Sequence, residues 1–146
     1  MVVSLKDINL ISKKVIDVPG GNVLRGIKSG DKNFHGFGEM YFSFAKHNYI
    51  KAWKKHSKMH MNLFVPVGKI RFVFAEYVDS KFTFLKIELS TDNHSVLSVP
   101  PGLWFGFMGI SKVDSMLVNV SNIAHEPNEV KRLDIDKIKY DWEVNK

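Results

Sequence analysis

The chain of 146 residues has no cysteine, which excludes disulfides and thiolate nucleophiles and leaves only histidine and carboxylates as metal donors. It has no apolar run near the roughly 18–20 residues that a membrane-spanning helix needs. The opening Met1-Val-Val-Ser-Leu-Lys-Asp7 lacks the basic region, apolar core and cleavage site of a secretory leader. A cytoplasmic protein is the plain expectation. Helical patterning is also scarce, because few segments carry apolar residues at i, i+3, i+4 and i+7 for more than two turns. Acidic residues are outnumbered, 15 against 21 lysines and arginines, for a net charge of +6. That balance suits nucleic acid, an anionic membrane or phosphorylated small molecules.

Strand signals are abundant. Ile70, Phe72 and Phe74 alternate with Lys69, Arg71 and Val73, the two-residue period of a sheet with one buried face. In Lys81–Leu89, Thr83, Leu85, Ile87 and Leu89 lie opposite Phe82, Phe84, Lys86 and Glu88. Val96–Val99 and Met116–Val120 are further β-rich runs. Turn clusters at 67–69, 79–81, 90–94 and 111–114 separate these runs, and Pro100-Pro101-Gly102 makes a stiff corner. Residues 1–35 read as an irregular arm of short strands, and the stretch from Asn128 as one helical turn before Trp142. Short strands at near-regular spacing predict an all-β sandwich or barrel in a single domain.

The most informative tract is Tyr49–Gly68, where Lys51, Lys54, Lys55, Lys58, His56 and His60 precede an apolar run ending in Pro-Val-Gly. Between Lys46 and Lys58 there are five lysines and no acid. This is either a solvated face or an anion-binding mouth, and so compact a cluster suits a diphosphate better than a nucleic-acid track. Strand alternation places Lys54 and His56 on one face, with Lys58 continuing it and Lys55 opposite. His60 lies two steps further and could pair with His56. His35, His47 and His94 sit in loop sequence and are expected to be exposed. Trp53 and Trp104 serve either to stack on a base or sugar or as packing, and Arg71 faces solvent or the barrel lumen according to register.

Six segments, in order, resemble the dTDP-4-dehydrorhamnose 3,5-epimerase family of cupin-type sugar-nucleotide epimerases and isomerases. They are Gly38-Glu-Met-Tyr-Phe-Ser43, Ile50-Lys-Ala-Trp-Lys-Lys-His56, Val67–Phe74, Leu89-Ser-Thr-Asp-Asn93, Val99-Pro-Pro-Gly-Leu-Trp-Phe-Gly-Phe107 and Asp134–Trp142. The resemblance implies a cupin or jelly-roll-like β-barrel, residues 1–146 in one domain, forming a homodimer to which the irregular N-terminal arm lends itself by strand exchange. It implies an epimerase or isomerase acting on a dTDP- or CDP-linked 4-keto-6-deoxy sugar in deoxysugar and surface-polysaccharide (lipopolysaccharide) biosynthesis. No cofactor, metal, nucleic-acid or membrane partner is implied.

In that family a histidine backed by an aspartate removes a proton next to the keto group, a tyrosine returns one, and a lysine steadies the enolate oxygen. Mapped residue by residue, the catalytic histidine falls on Lys54, a second histidine on Phe105, the lysine on Asn62 and the tyrosine near Val118. The backing aspartate falls on Asp136. In the 3,4-ketoisomerase branch, the second histidine of His-x-His coincides with His56. The resemblance therefore implies catalysis by His56, Lys54 and Asp136. It implies substrate binding by Lys51 (the family's phosphate-binding arginine), Trp53, Lys58, Asn62, Arg71, Trp104, Phe105, Asn119 and His125. The alternative is a protein on the same fold that binds a nucleotide sugar or a partner enzyme without catalysis.

Overall fold

A computed structural model describes residues 2–144 and contains twelve strands: β1 (Asn9–Ser12), β2 (Val15–Ile16), β3 (Val23–Leu24), β4 (Glu39–Ala45), β5 (Ile50–His56), β6 (Met61–Val67), β7 (Lys69–Val78), β8 (Lys81–Ser90), β9 (Ser95–Val99), β10 (Trp104–Gly109), β11 (Ser115–Ser121) and β12 (Val130–Arg132). The helical signals that the sequence lacked are confined, among the described residues, to four single 3-10 turns, two of them at Pro127–Glu129 and Ile135–Lys137. Two five-stranded antiparallel sheets face each other, with orders β1-β9-β6-β11-β4 and β12-β5-β10-β7-β8, and β2-β3 forms a separate hairpin. This is the all-β sandwich the strand pattern predicts, in the jelly-roll-like form the resemblance implies.

Alternation explains the main core. Inward residues Phe72 and Phe74, Leu85, Ile87 and Leu89, Phe105 and Phe107 meet Met61, Leu63, Val65, Leu97 and Leu117 from the opposite sheet. Fully burying each such side chain contributes about 1.5–3 kcal/mol. The alternation of β7 is misleading in one respect, for both its faces are buried, not one. Its outer residues Val73 and Ala75 join Trp53, Met108, Ile138 and Trp142 in a second apolar cluster, because the C-terminal segment lies across the outside of that sheet. Arg71 accordingly faces neither open solvent nor the lumen. Its Nε donates to Glu88 at 2.6 Å, and its guanidinium also bonds the main-chain oxygens of Trp142 and Glu143, clamping the C-terminal strap.

β1 pairs with β9, and the loop after β3 crosses the outside of the first sheet, where Asn33 and Asn62 exchange two hydrogen bonds of 2.9 Å. His94 is buried rather than exposed, since this loop brings the Arg25 carbonyl within 2.6 Å of its ring nitrogen and Phe64 stacks on its ring.

One irregularity positions the site. Phe105 pairs with Lys54 but Gly106 pairs with Ala52, so β5 carries an extra residue opposite β10. Only glycine fits at 106, because a Cβ there would stand 2.5 Å from the Ala52 Cβ and 3.0 Å from the Lys51 carbonyl oxygen. The bulge turns Trp53 outward into the second cluster and leaves Lys51, Lys54 and His56 all on the cavity side.

Candidate functional site

The sheets splay at one end around a cavity of about 790 Å³, within the range of small-molecule sites. β5 contributes Lys51, Lys54 and His56, β10 contributes Phe105 and Phe107, and β11 contributes Leu117 and Asn119. Tyr41 comes from β4 on the facing sheet, Arg132 from β12, and His125 and Asp134 from loops. The lining is apolar at depth and cationic on the β5–β12 side.

His56 is the best-defined titratable group in the wall. Its Nδ1 lies 2.6 Å from Oε2 of Glu129, whose side chain is only 2% exposed. The other carboxylate oxygen accepts the N–H groups of Met59 at 2.8 Å and Lys58 at 3.1 Å. Burial pushes the Glu129 carboxyl up, but the bonds from His56, Met59 and Lys58 outweigh it and hold the group below the usual carboxylate range. An ionised carboxylate only accepts, so His56 donates through Nδ1 and keeps Nε2 as a proton acceptor. Phe105 stacks on the imidazole, with ring centroids 5.8 Å apart.

Glu129, not Asp136, is the carboxylate hydrogen-bonded to His56. Asp136 sits exposed in the 3-10 turn that follows β12, outside the cavity lining. Glu129 escapes a motif reading because its carboxylate reaches His56 from 73 residues away, through pairing of Val130 with His56. The only signal was an acid directly ahead of the short strand Val130–Arg132.

Lys54 stands directly opposite Arg132 across the β5–β12 ladder, an arrangement that is destabilising between like charges unless an anion joins them. Withdrawal from water, then Arg132, then Lys51 lowers the Lys54 pKa below the normal lysine value. Among the described residues its ammonium has no ion pair. Lys51 donates to the Phe44 carbonyl at 2.9 Å and lies 5.7 Å above the Phe107 ring. Arg132 was not anticipated, since its strand is three residues long and its role depends wholly on pairing.

A third unanticipated residue is Tyr41. Burial first, and the Glu39 carboxylate second, raise its pKa, and its hydroxyl donates to Glu39 at 3.1 Å. Val118, where the family tyrosine was mapped, is not in the cavity lining, since it pairs with Phe42 and Phe64 rather than facing inward. Asn119 lines the cavity, and its buried Oδ1 has no hydrogen-bond partner among the described residues.

The remaining expected binding residues divide. Phe105, Asn119, Lys51 and His125 border the cavity. Lys58 does not, because the strand ends at His56 and its exposed ammonium points to Glu126 at 3.4 Å. Asn62 is engaged with Asn33, and Arg71 with the strap. Trp104 packs in the second cluster, with the Lys55 ammonium 4.9 Å above its ring. Trp53 touches the cavity rim, but its indole is buried and donates to the Ile135 and Ile138 carbonyls. His60 does not join His56; it packs on His35 with centroids 3.9 Å apart, outside the cavity lining.

No family profile and no curated protein matches the chain. Solved structures do. A dTDP sugar isomerase from Desulfovibrio desulfuricans G20 is 29% identical, with a TM-score of 0.88 over 97% of this chain and 94% of that one. A dTDP-4-dehydrorhamnose 3,5-epimerase from Sulfolobus tokodaii is 23% identical, with a TM-score of 0.79 over 91% and 80%. The sugar 3,4-ketoisomerase QdtA from Thermoanaerobacterium thermosaccharolyticum, solved in complex with TDP, is 19% identical, with a TM-score of 0.74 over 89% and 90%. The last two likenesses show a shared fold. The fold neighbours are thus sugar-nucleotide epimerases and isomerases with the cupin-like architecture. No helix among the described residues is long and apolar enough to cross a membrane.

Proposed function

We propose that the chain is an epimerase or isomerase of a nucleoside-diphosphate-linked 4-keto-6-deoxy sugar, acting as a cytoplasmic homodimer. The observation that carries this reading is the joining, in one cavity, of the His56–Glu129 pair with the cations Lys51, Lys54 and Arg132. A carbon-bound proton beside a ketone needs a base of near-neutral pKa held in place. The Nε2 of His56 is placed to take that proton, and Glu129 fixes its tautomer and stabilises the imidazolium that forms. Lys51 and Arg132 supply charge-assisted contacts for a diphosphate. Tyr41, kept protonated at neutral pH, enters the same cavity from the opposite sheet and serves as the group returning a proton to the other face of the ring. Asn119 offers a free acceptor to a sugar hydroxyl.

The likeness over nearly the whole of the Desulfovibrio isomerase supports the substrate class. A non-catalytic nucleotide-sugar-binding or partner protein is the second reading. It is favoured by Lys54, Phe105 and Val118 standing where the resemblance places two histidines and a tyrosine. Incubating dTDP-, CDP-, GDP- and UDP-linked 4-keto-6-deoxy sugars in D₂O decides between them by NMR. Deuterium entering at C3 or C5 with wild type and lost with His56→Asn establishes catalysis and its base. Binding without exchange establishes the second reading, and binding of none of the nucleotides at millimolar concentration overturns both.

A further inference from the structure

We propose that Lys54 is a covalent catalyst, its amine condensing with the sugar ketone to form an iminium whose neighbouring carbon then loses a proton to His56. The inference rests on the reading that the substrate is a keto sugar; it concerns what the lysine does to that ketone.

Three observations carry it. First, the cavity already holds a complete general base in His56 with its Glu129 partner, so a second base on the same wall is redundant, whereas a nucleophile beside a base is complementary. Second, Lys54 and His56 are alternate residues of β5 on the same face, which sets their backbones about 6–7 Å apart. Both side chains line the same cavity, which puts the lysine and the base within reach of neighbouring carbons of one sugar ring. Third, Lys54 faces Arg132 across the ladder, has Phe105 as its other cross-strand neighbour, and makes no ion pair among the described residues. A lysine crowded by a facing cation and left without a counter-ion is the environment that favours the neutral amine a nucleophile requires. The lowered pKa agrees with that placement. Asp134 also borders the cavity, without a salt bridge to Lys54.

The chemistry balances without an oxidant or cofactor. The Lys54 ammonium gives up a proton, the neutral amine adds to the carbonyl carbon, and that proton returns to the carbinolamine oxygen, which leaves as water so that the C=N bond of an iminium replaces C=O. The iminium draws electrons from the adjacent C–H bond. His56 takes the proton, and the bonding pair becomes the carbon–carbon double bond of an enamine. Reprotonation from the other face inverts the carbon, and water then returns the ketone and the free amine.

Sodium borohydride tests this directly, because hydride reduces an iminium to a stable secondary amine. Wild-type protein incubated with a dTDP-linked 4-keto-6-deoxyhexose and then reduced should gain the mass of the substrate less one oxygen, and peptide mapping should place the adduct on Lys54. Lys54→Arg keeps the charge but cannot form the imine. It should retain dTDP binding within about threefold, lose the adduct, and lose at least about 100-fold of the deuterium exchange, the low end of what positioned catalytic groups contribute. His56→Asn should keep the adduct and lose exchange. Exchange by wild type with no adduct, or an adduct spread over surface lysines, overturns the covalent role and leaves Lys54 as an anion contact. Absence of both exchange and substrate binding instead brings down the keto-sugar reading and this inference with it.

Discussion

Glu129→Gln removes one charge from the base of the site and leaves its shape almost unchanged. The carboxylate accepts three hydrogen bonds, from His56 at 2.6 Å, Met59 at 2.8 Å and Lys58 at 3.1 Å. An amide has one acceptor oxygen, so the substitution turns at least one of those donors toward an NH₂ group. Bonds to a charged acceptor contribute about 1.5–3 kcal/mol each, and a buried donor left unpaired costs a similar amount. The expected loss of stability is about 2–3 kcal/mol. At about 2–4 °C per kcal/mol, suited to a domain near this size, the melting temperature should fall by about 4–12 °C. Loss of the carboxylate also frees the His56 tautomer and destabilises its imidazolium, which should reduce proton exchange by about 10²–10⁴-fold. The pH dependence has a fixed sign. Because the folded-state pKa of Glu129 is depressed, its contribution is present above the unfolded value near 4.5 and disappears as pH falls through the depressed folded value. Wild-type stability should therefore decline below about pH 4.5 more steeply than that of the variant. Thermal melts at pH 3 to 7 and NMR-monitored deuterium exchange measure both effects. Exchange within threefold of wild type, together with an unchanged melting temperature, would refute the assignment of Glu129 as the partner that orients His56.

Lys51→Ala and Arg132→Ala should each weaken binding of dTDP, CDP and UDP alike, by about 1.5–3 kcal/mol, because a phosphate contact does not distinguish bases; calorimetric titration showing loss for one base alone would contradict this. His60, whose pKa is lowered to about 4 by burial and then by His35, should make stability fall as pH drops from 6.5 to 4. Burial and His35 together set a ceiling of about 3.4 kcal/mol, reduced to about 1–2 for a ring that keeps contact with solvent, and His60→Gln should flatten that part of the profile. Gly106→Ala should cost about 1–3 kcal/mol through overpacking against Ala52 and should lower exchange by displacing Lys51 and Lys54, as melts and kinetics together would register. Phe42 and Phe44 are 61% and 57% exposed on the edge strand β4, an unprotected apolar edge that suits a second copy of the chain. Phe42→Ser with Phe44→Ser should shift a dimer to monomer by light scattering, and an unchanged mass would place the contact elsewhere.

The two-residue period of the strands, the turn residues between them and the order of six family-like segments were enough to establish a jelly-roll-like barrel with a cationic mouth near Lys51–His56. Each of those signals is local, written within about ten residues by backbone pleat and turn chemistry. The site itself was legible only in part. Lys54 and His56 share the cavity as alternation predicts, but Lys51 joins them only because the bulge opposite Gly106 adds a residue to β5 and reverses its facing. Trp53, Trp104 and Arg71 seemed candidates for a ligand because their surroundings are supplied by the C-terminal strap, which no period in the sequence announces. Glu129, Arg132 and Tyr41 were invisible for the converse reason, each reaching the cavity through a pairing between strands distant in sequence. Composition and periodicity decide which residues can be inside. Which of them meet across a cavity is decided by strand register, and register is a property of the folded sheet as a whole.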